Sequence, residues 1–120
     1  MAVKDGELVY EVSLRVQRTI AAEYLPWLRT HIERMLTLPG FLHATLYAID
    51  DQPATEDAGV AWCVHYRLRD RSALEDYLRD HAPRIREEGV LRFGAGFRAE
   101  RRILRVLGGD GIGGDWIVDD

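Results

Sequence analysis

The stretch LVYEVSLRV, residues 8–16, alternates apolar side chains with mostly polar ones. A repeat of two residues is typical of a β-strand that buries one face, because successive side chains point to opposite sides of the strand. Apolar residues at helical spacing follow over 24–36, and a further apolar stretch follows over 41–49. We therefore predict a strand–helix–strand unit in the first half of the chain.

The second half of the chain repeats this order. Alternation recurs over 60–68, helical spacing over 74–92, and a stretch of apolar and charged residues over 97–107. Pro83 interrupts the second helical pattern, so we predict a separate short helix from there to about Phe93. The charges of the last stretch fall on both faces, so its register stays open.

Two local signals predict where the helices begin. Pro26 lies inside the first helical pattern and removes one backbone donor, so we expect either a late helix start or a kink there. Ser72 and Glu75 have the spacing of a capping box, in which each side chain bonds a backbone amide at the helix start. We expect the second helix to begin at this box.

Two strand–helix–strand units predict one small sheet. Right-handed crossovers make the strands of each unit parallel and place a strand of the other unit between them. The order β-α-β-β-α-β therefore predicts an α+β, ferredoxin-like fold, in which a four-stranded antiparallel sheet carries its helices on one face. Because the other face stays open, and a second copy is the common way to cover such a face, we predict a homodimer.

Composition limits the classes of protein to which the chain can belong. With 120 residues we expect one domain over 1–107, followed by a flexible tail rich in Gly and Asp over 108–120. The tail holds four Asp and no basic residue, which leaves 16 basic and 16 acidic residues in the domain. A neutral domain does not favour nucleic-acid binding. No apolar run approaches the roughly 20 residues of a membrane span.

Cysteine content and the start of the chain bear on the compartment. Cys63 is the one cysteine, so it cannot form an internal disulfide. The first seven residues have no apolar stretch after Lys4, which argues against a secretion signal. We therefore expect a cytoplasmic protein with no membrane association and no nucleic-acid partner.

Short motifs in both helical regions resemble known families. Trp27 and His31, followed by Leu38-Pro39-Gly40-Phe41, resemble the helix-to-strand turn of the dimeric α+β barrel superfamily. That superfamily includes antibiotic-biosynthesis-type monooxygenases, relatives of chlorite dismutase and many uncharacterised stress proteins. The run YLRDHAPRIR, residues 77–86, followed by Arg92-Phe93-Gly94, resembles a family of short bacterial proteins known only as a domain of unknown function.

The resemblance covers roughly residues 8–107. It implies a ferredoxin-like fold that forms a dimeric α+β barrel. The bacterial family has no assigned activity, so the resemblance implies no catalytic residue.

The open sheet face is where barrel relatives hold ligands, so the polar residues predicted to lie there are the candidates for ligand binding. The candidate ligand-binding residues are Glu11, His43, Tyr47, His65 and Arg67. We expect Glu11, His65 and His43 to line up across neighbouring strands, and Leu42, Ala44 and Leu46 to face the helices instead.

Three interpretations of these residues stay open. They could make polar contacts in a wet dimer interface, line a small-molecule pocket, or bind a metal ion. The interface is the interpretation we favour, and no tight ligand spacing such as His-x-x-x-His is present. We therefore expect no resident metal and no cofactor.

Other conspicuous residues have ordinary structural explanations. We interpret His31 and His81 as structural, and Cys63 as a small buried apolar side chain. The aromatic residues Trp27, Trp62, Tyr66 and Phe93 are most simply core residues. Arg84 and Arg86 could hold an anion, although a solvated or salt-bridged surface is the ordinary outcome.

Three functions are compatible with the sequence. The favoured hypothesis is a non-catalytic homodimer that binds a small apolar or aromatic ligand between sheet and helices or within the barrel. A cofactor-independent, monooxygenase-like enzyme is the alternative, with a His or Tyr that deprotonates a phenolic substrate. A purely structural interaction protein is the third. A pocket of a few hundred cubic ångströms would favour the first two.

Overall fold

The structure, a computed structural model, describes residues 6–51 and 59–109. In chain order the elements are β1 (Leu8–Val16), α1 (Arg18–Met35), β2 (Phe41–Ala48), β3 (Val60–Leu68), α2 (Arg71–Asp80), α3 (Ala82–Phe93), a 3₁₀ turn (Gly94–Gly96) and β4 (Phe97–Arg105). The strands form one antiparallel sheet in the order β2-β3-β1-β4. This confirms the predicted ferredoxin-like fold, with β3 between β1 and β2.

The core lies between the sheet and the helices. On the two central strands, alternate side chains point to the helices and are almost wholly buried, among them Tyr10, Leu14, Val64, Tyr66 and Leu68. Leu28 of α1 and Leu74 of α2 close this core from the other side. The strand alternation read from the sequence is therefore real, because one face of each central strand is removed from water.

Helix α1 begins at Arg18, well before the predicted start at residue 24, and it continues through Pro26. Pro26 cannot donate the backbone hydrogen bond that the carbonyl of Ala22 would accept. Both residues are exposed, so water can bond that carbonyl instead. The helix tolerates the proline because the lost bond lies on its solvent side.

The second helical region divides as predicted. Helix α2 ends at Asp80, and α3 begins at Ala82 with Pro83 in its first turn. The capping-box prediction was wrong, because Asp70 precedes the helix and its Oδ1 accepts a hydrogen bond from the backbone N of Ala73 at 2.9 Å. A carboxylate at this position satisfies an amide that the helix itself leaves unpaired.

The turn between α1 and β2 packs against the start of α2. Gly40 has a φ of +84°, in the left-handed region that favours glycine. Its carbonyl accepts a hydrogen bond from the backbone N of Arg69 at 2.8 Å. A Cβ at this position would collide with the Cβ of Ala73. The absence of a side chain therefore lets the turn and the helix approach each other.

Some predictions concern residues outside the described ranges. The predicted flexible tail falls there from residue 110 onward, as does most of the loop between β2 and β3. The domain limits 1–107 and 108–120 stay predictions. Among the described residues, no helix combines the length and apolar character that crossing a bilayer requires.

Candidate functional site

The open face of the sheet carries a buried carboxylate at its centre. Glu11 lies opposite His65 of β3 on one side and opposite Arg102 of β4 on the other. Its Oε2 lies 2.8 Å from Nε2 of His65, and its Oε1 accepts a hydrogen bond from Nε of Arg102 at 2.7 Å. Only 8% of Glu11 is exposed. The hydrogen bond from Arg102 is the main cause that lowers the pKa of the Glu11 carboxyl.

Cys63 adjoins this pair on the same face. It lies two residues before His65 on β3 and opposite Ser13 of β1. The Oγ of Ser13 lies 3.9 Å from the Cys63 Sγ, and burial raises the pKa of the thiol. Ligand atoms of Glu11, Cys63 and His65 all lie within 4.8 Å of one another. A carboxylate, an imidazole and a thiol therefore converge on one point of the sheet.

The other predicted residues lie on this face but make separate contacts. The rings of Tyr47 and His65 meet edge to face, with centroids 5.1 Å apart. Arg67 donates through Nε to Glu7 at 2.6 Å. His43 is exposed and lies opposite Arg67. The five candidates thus share a face, but only Glu11, Tyr47 and His65 form one group.

The expected alignment of His43 with Glu11 and His65 was wrong. Thr45, two residues further along β2, lies opposite His65. The register of β2 shifts between Phe41 and His43, so that Leu42 is an extra residue, as in a β-bulge. Phe41 and Ala44 consequently both face the helices, and Leu42, expected to face them, is 48% exposed.

A second candidate site lies on the opposite side of the sheet, between the strands and the helices. It is a partly open cavity of about 60 Å³. Six of its lining residues are aromatic: Tyr10, Tyr24, Trp27, Tyr66, Tyr77 and Phe97. The polar residues His31, Arg86 and Arg101 also line it, and none of the described residues that line it is acidic.

The charged groups that the described residues contribute to this cavity are positive. Arg86 of α3 donates through Nη2 to the hydroxyl of Tyr10 at 2.9 Å. Arg101 of β4 lies opposite Val12, on the face of the sheet that the helices cover. Burial raises the pKa of Tyr24 and of Tyr77 to about 12, and the nearby charge of Arg101 opposes both shifts. The phenols therefore stay protonated at neutral pH while a guanidinium lies close to them.

His31 is a neutral polar group in this cavity. Its ring stacks on Trp27 with centroids 5.2 Å apart and an interplanar angle of 8°. Burial, and after it the charge of Arg34, lowers the pKa of His31 to about 4. Arg34 itself binds Glu88 through two hydrogen bonds of 3.1 and 3.2 Å, which tie α1 to α3 beside the cavity. At neutral pH the imidazole can therefore accept a hydrogen bond but carries no charge.

With both sites described, the family can be assigned. Residues 7–107 match the family described as "Domain of unknown function (DUF4286)". The chain belongs to this family. No curated protein is significantly similar to it.

Solved structures show that the DUF4286 domain shares its fold with other small proteins. A variant of SnoaB, described as a cofactor-independent oxygenase from Streptomyces nogalater, has a TM-score of 0.65 at 16% identity, covering 86% of this chain and 95% of that one. A dimeric ferredoxin-like protein from an uncultured marine organism has a TM-score of 0.67 at 10% identity, covering 88% and 99%. A conserved protein from Methanosarcina mazei has a TM-score of 0.63 at 18% identity, covering 84% and 93%. At these identities the likeness concerns the fold alone.

Sequence reasoning predicted a ligand between the sheet and the helices of the DUF4286 domain, but it did not assign the residues of this cavity to that ligand. Trp27 and Tyr66 were assigned to the core, His31 to a structural role, and Arg86 mainly to the surface. Nothing in the sequence indicated on which face of the sheet Arg101 lies, because charges on both faces of the last strand left its register open. The available clue was the presence of a histidine and an arginine close to apolar helical stripes that hold several aromatic residues.

Proposed function

We propose that the DUF4286 domain binds a small aromatic anion in the cavity between its sheet and helices. One observation carries the proposal: Arg86 and Arg101 converge on an aromatic cavity whose lining, among the described residues, contains no acidic side chain. Aromatic walls favour a planar apolar ring, and an unopposed guanidinium favours a carboxylate or phenolate on that ring. A ligand of this kind would satisfy both features at once.

The size of the cavity limits how such a ligand could sit. Its 60 Å³ is far less than the few hundred expected for a ligand pocket, and less than half of the roughly 150 Å³ that accommodates benzene in another protein. A ring would therefore have to widen the cavity or lie partly in its mouth. Arg86 and Arg101 are both exposed, and their long side chains can move without disturbing the core.

Substitution of Arg101 tests the proposal. The probe is 1-naphthoate, and its affinity is compared with that of the neutral 1-naphthamide. Arg101→Gln should weaken naphthoate binding about 10-fold or more, because a charged hydrogen bond is worth about 1.5–3 kcal/mol, and should change naphthamide binding little. Binding can be followed by the quenching of tryptophan fluorescence, since Trp27 lines the cavity.

Arg98 supplies the matched control for this experiment. It lies on β4 like Arg101, but it faces the open side of the sheet, opposite Arg15. Arg98→Gln should therefore leave the affinity for naphthoate unchanged. Equal losses in the two variants, or equal binding of naphthoate and naphthamide by the wild type, would count against an anion site in this cavity.

A cofactor-independent oxygenase is the second candidate function. The neutral His31 in the cavity favours it, and so does the fold shared with a protein described as such an oxygenase. A pKa of about 4 makes His31 a weak base, so Arg86 and Arg101 would have to stabilise the phenolate that reacts with oxygen. Oxygen uptake on addition of a phenolic ligand separates this enzyme from a binding protein.

We also propose that the domain forms a homodimer through its open sheet face. The helices leave this face uncovered, and Tyr47 is 46% exposed on it. A neighbour in fold is described as a dimeric ferredoxin-like protein. The candidates Glu11, His43, Tyr47, His65 and Arg67 would then lie inside the barrel, where a ligand could also contact them.

A charge on the open face should separate the subunits. We expect light scattering at micromolar concentration to give twice the mass of one chain for the wild type and the mass of one chain for Tyr47→Glu. Leu91 is 78% exposed on α3, away from the sheet, so Leu91→Glu should stay dimeric. A wild-type protein that is monomeric over this range would contradict the dimer.

A further inference from the structure

We propose that Glu11, Cys63 and His65 form a zinc-binding site on the open face of the sheet. Thiolate, imidazole and carboxylate are the three protein ligand types that Zn²⁺ takes, and the combination of sulfur and nitrogen favours it over Mg²⁺ or Ca²⁺. No short sequence motif marks this site. Its ligands come from two strands that pair in the middle of the sheet, so the tertiary structure alone brings them together.

The geometry requires only small movements. Bond lengths of 2.0–2.3 Å place the donors of a tetrahedral zinc ion about 3.3–3.7 Å apart. Here the donor atoms lie within 4.8 Å of one another, and Nε2 of His65 is 2.8 Å from Oε2 of Glu11. His65 has a third of its side chain exposed, so its ring can shift by the roughly 1 Å that an ion between them needs.

Neighbouring residues already orient the ligands. Arg102 binds Oε1 of Glu11, which leaves Oε2 directed at His65. The Ser13 hydroxyl lies 3.9 Å from the Cys63 sulfur, where it can donate to a thiolate. Such outer contacts are the usual support of zinc ligands. Among the described residues, Glu11 is also the one charged residue that is buried. Burial of a carboxylate is costly even when an ion pair partly compensates for the lost hydration.

Charge and proton balance are compatible with the ion. In the absence of metal, Glu11 and Arg102 neutralise each other, and the raised pKa of Cys63 keeps its thiol protonated. On binding, the S–H bond breaks, sulfur bonds to zinc, and one proton leaves to solvent. Three protein ligands leave a fourth position for water or another small ligand, as in catalytic rather than structural zinc sites.

This site is independent of the function proposed above. It lies on the opposite side of the sheet from the aromatic cavity and shares no residue with it. All three ligands belong to one chain, so a monomer would also hold the ion. Loss of naphthoate binding or of the dimer would therefore leave the zinc proposal standing, and loss of zinc binding would leave the other two standing.

Cobalt is the spectroscopic probe for this proposal. Titration of the full-length protein with Co²⁺ should produce the visible bands of a tetrahedral ion together with a near-ultraviolet sulfur-to-cobalt charge-transfer band, saturating at one ion per chain. Because the chain has a single cysteine, that band can come only from Cys63. Zn²⁺ should then displace the cobalt and abolish the bands.

Variants identify the other ligands. Cys63→Ser should remove the charge-transfer band, and His65→Ala and Glu11→Gln should each weaken metal binding at least 10-fold. Ser13→Ala should keep the band but weaken zinc binding about 10-fold, as loss of an outer contact does. His43→Ala is the matched control, because this exposed histidine of the same face lies outside the cluster, and it should bind like the wild type.

Measurements on the wild type alone also test the zinc site, in case a variant fails to fold. One equivalent of Zn²⁺ should protect the single thiol from a thiol-modifying reagent, while Mg²⁺ should not. A wild-type protein that shows no charge-transfer band and no protection has no such site. A band that persists at full affinity in both His65→Ala and Glu11→Gln would also overturn the proposal, since Cys63 would then bind metal without these partners.

Discussion

Gly40→Ala is expected to lower the free energy of unfolding by about 2–5 kcal/mol. A residue with a Cβ pays about 1–2 kcal/mol in the left-handed region, and Gly40 has a φ of +84°. The added methyl group also meets the Cβ of Ala73, and forcing extra atoms into a packed site costs about 1–3 kcal/mol. Urea denaturation followed by circular dichroism measures the change.

Gly94→Ala separates the two contributions. Gly94 also has a positive φ, of +56°, but a Cβ there would meet no atom of the described residues within 4 Å. With a ψ of −129°, Gly94 lies outside the left-handed helical region, and its substitution should cost a backbone term alone, of about 1–3 kcal/mol. Ala73→Gly weakens α2 by itself, so the double variant Gly40→Ala/Ala73→Gly should lose less stability than the sum of the two single losses, because the opposing methyl group is gone. Strictly additive losses for Gly40→Ala and Ala73→Gly would show that the turn does not press against α2.

A stability loss at mildly acidic pH is the second large effect expected, and it depends on His31. Its pKa is about 4 in the folded protein against 6.5 for an ordinary histidine. Between these values the unfolded chain binds a proton that the folded protein does not. The stabilisation from a neutral His31 is therefore complete above pH 6.5 and is lost as the pH falls towards 4. The loss is at most about 1.4 kcal/mol per pH unit, or about 3 kcal/mol in total.

His31→Gln should remove this part of the pH dependence, because glutamine does not titrate. The measurement is urea denaturation at a series of pH values from 7 to 4, with the difference between variant and wild type plotted against pH. His43→Gln is the control, since His43 is exposed and lies outside the cavity. A wild-type curve parallel to that of His31→Gln would mean that the imidazole is not held neutral by its surroundings.

The fold was largely predictable from local patterns, and its exceptions have identifiable causes. Alternation in β1 and β3 predicted the buried face correctly because both strands lie in the middle of the sheet. A late helix start was one of the two outcomes expected from Pro26. Helix α1 instead begins at Arg18, because the helix tolerates a proline on its solvent side. The alignment of His43 with His65 was wrong because the register between β2 and β3 places Thr45 opposite His65, although His43 does lie on the predicted face.

The two sites differ in how far the sequence could indicate them. Glu11 and His65 were correctly placed on one face and next to each other, since both follow from strand alternation and strand order. A ligand between sheet and helices was predicted, but the residues of the cavity were missed because they resemble an ordinary aromatic core until Arg101 is placed against them. The face occupied by Arg101 depends on how β4 pairs with β1, which no local pattern encodes.

The order of helices and strands, the side of each central strand that is buried, and the break at Pro83 were determined by the sequence alone, because periodicity and backbone chemistry are local properties. Only the tertiary structure decided that Glu11, Cys63 and His65 meet, that Arg86 and Arg101 share an aromatic cavity, and that Gly40 touches Ala73. Each of these depends on the register between elements distant in the chain, and register is set by packing over the whole sheet.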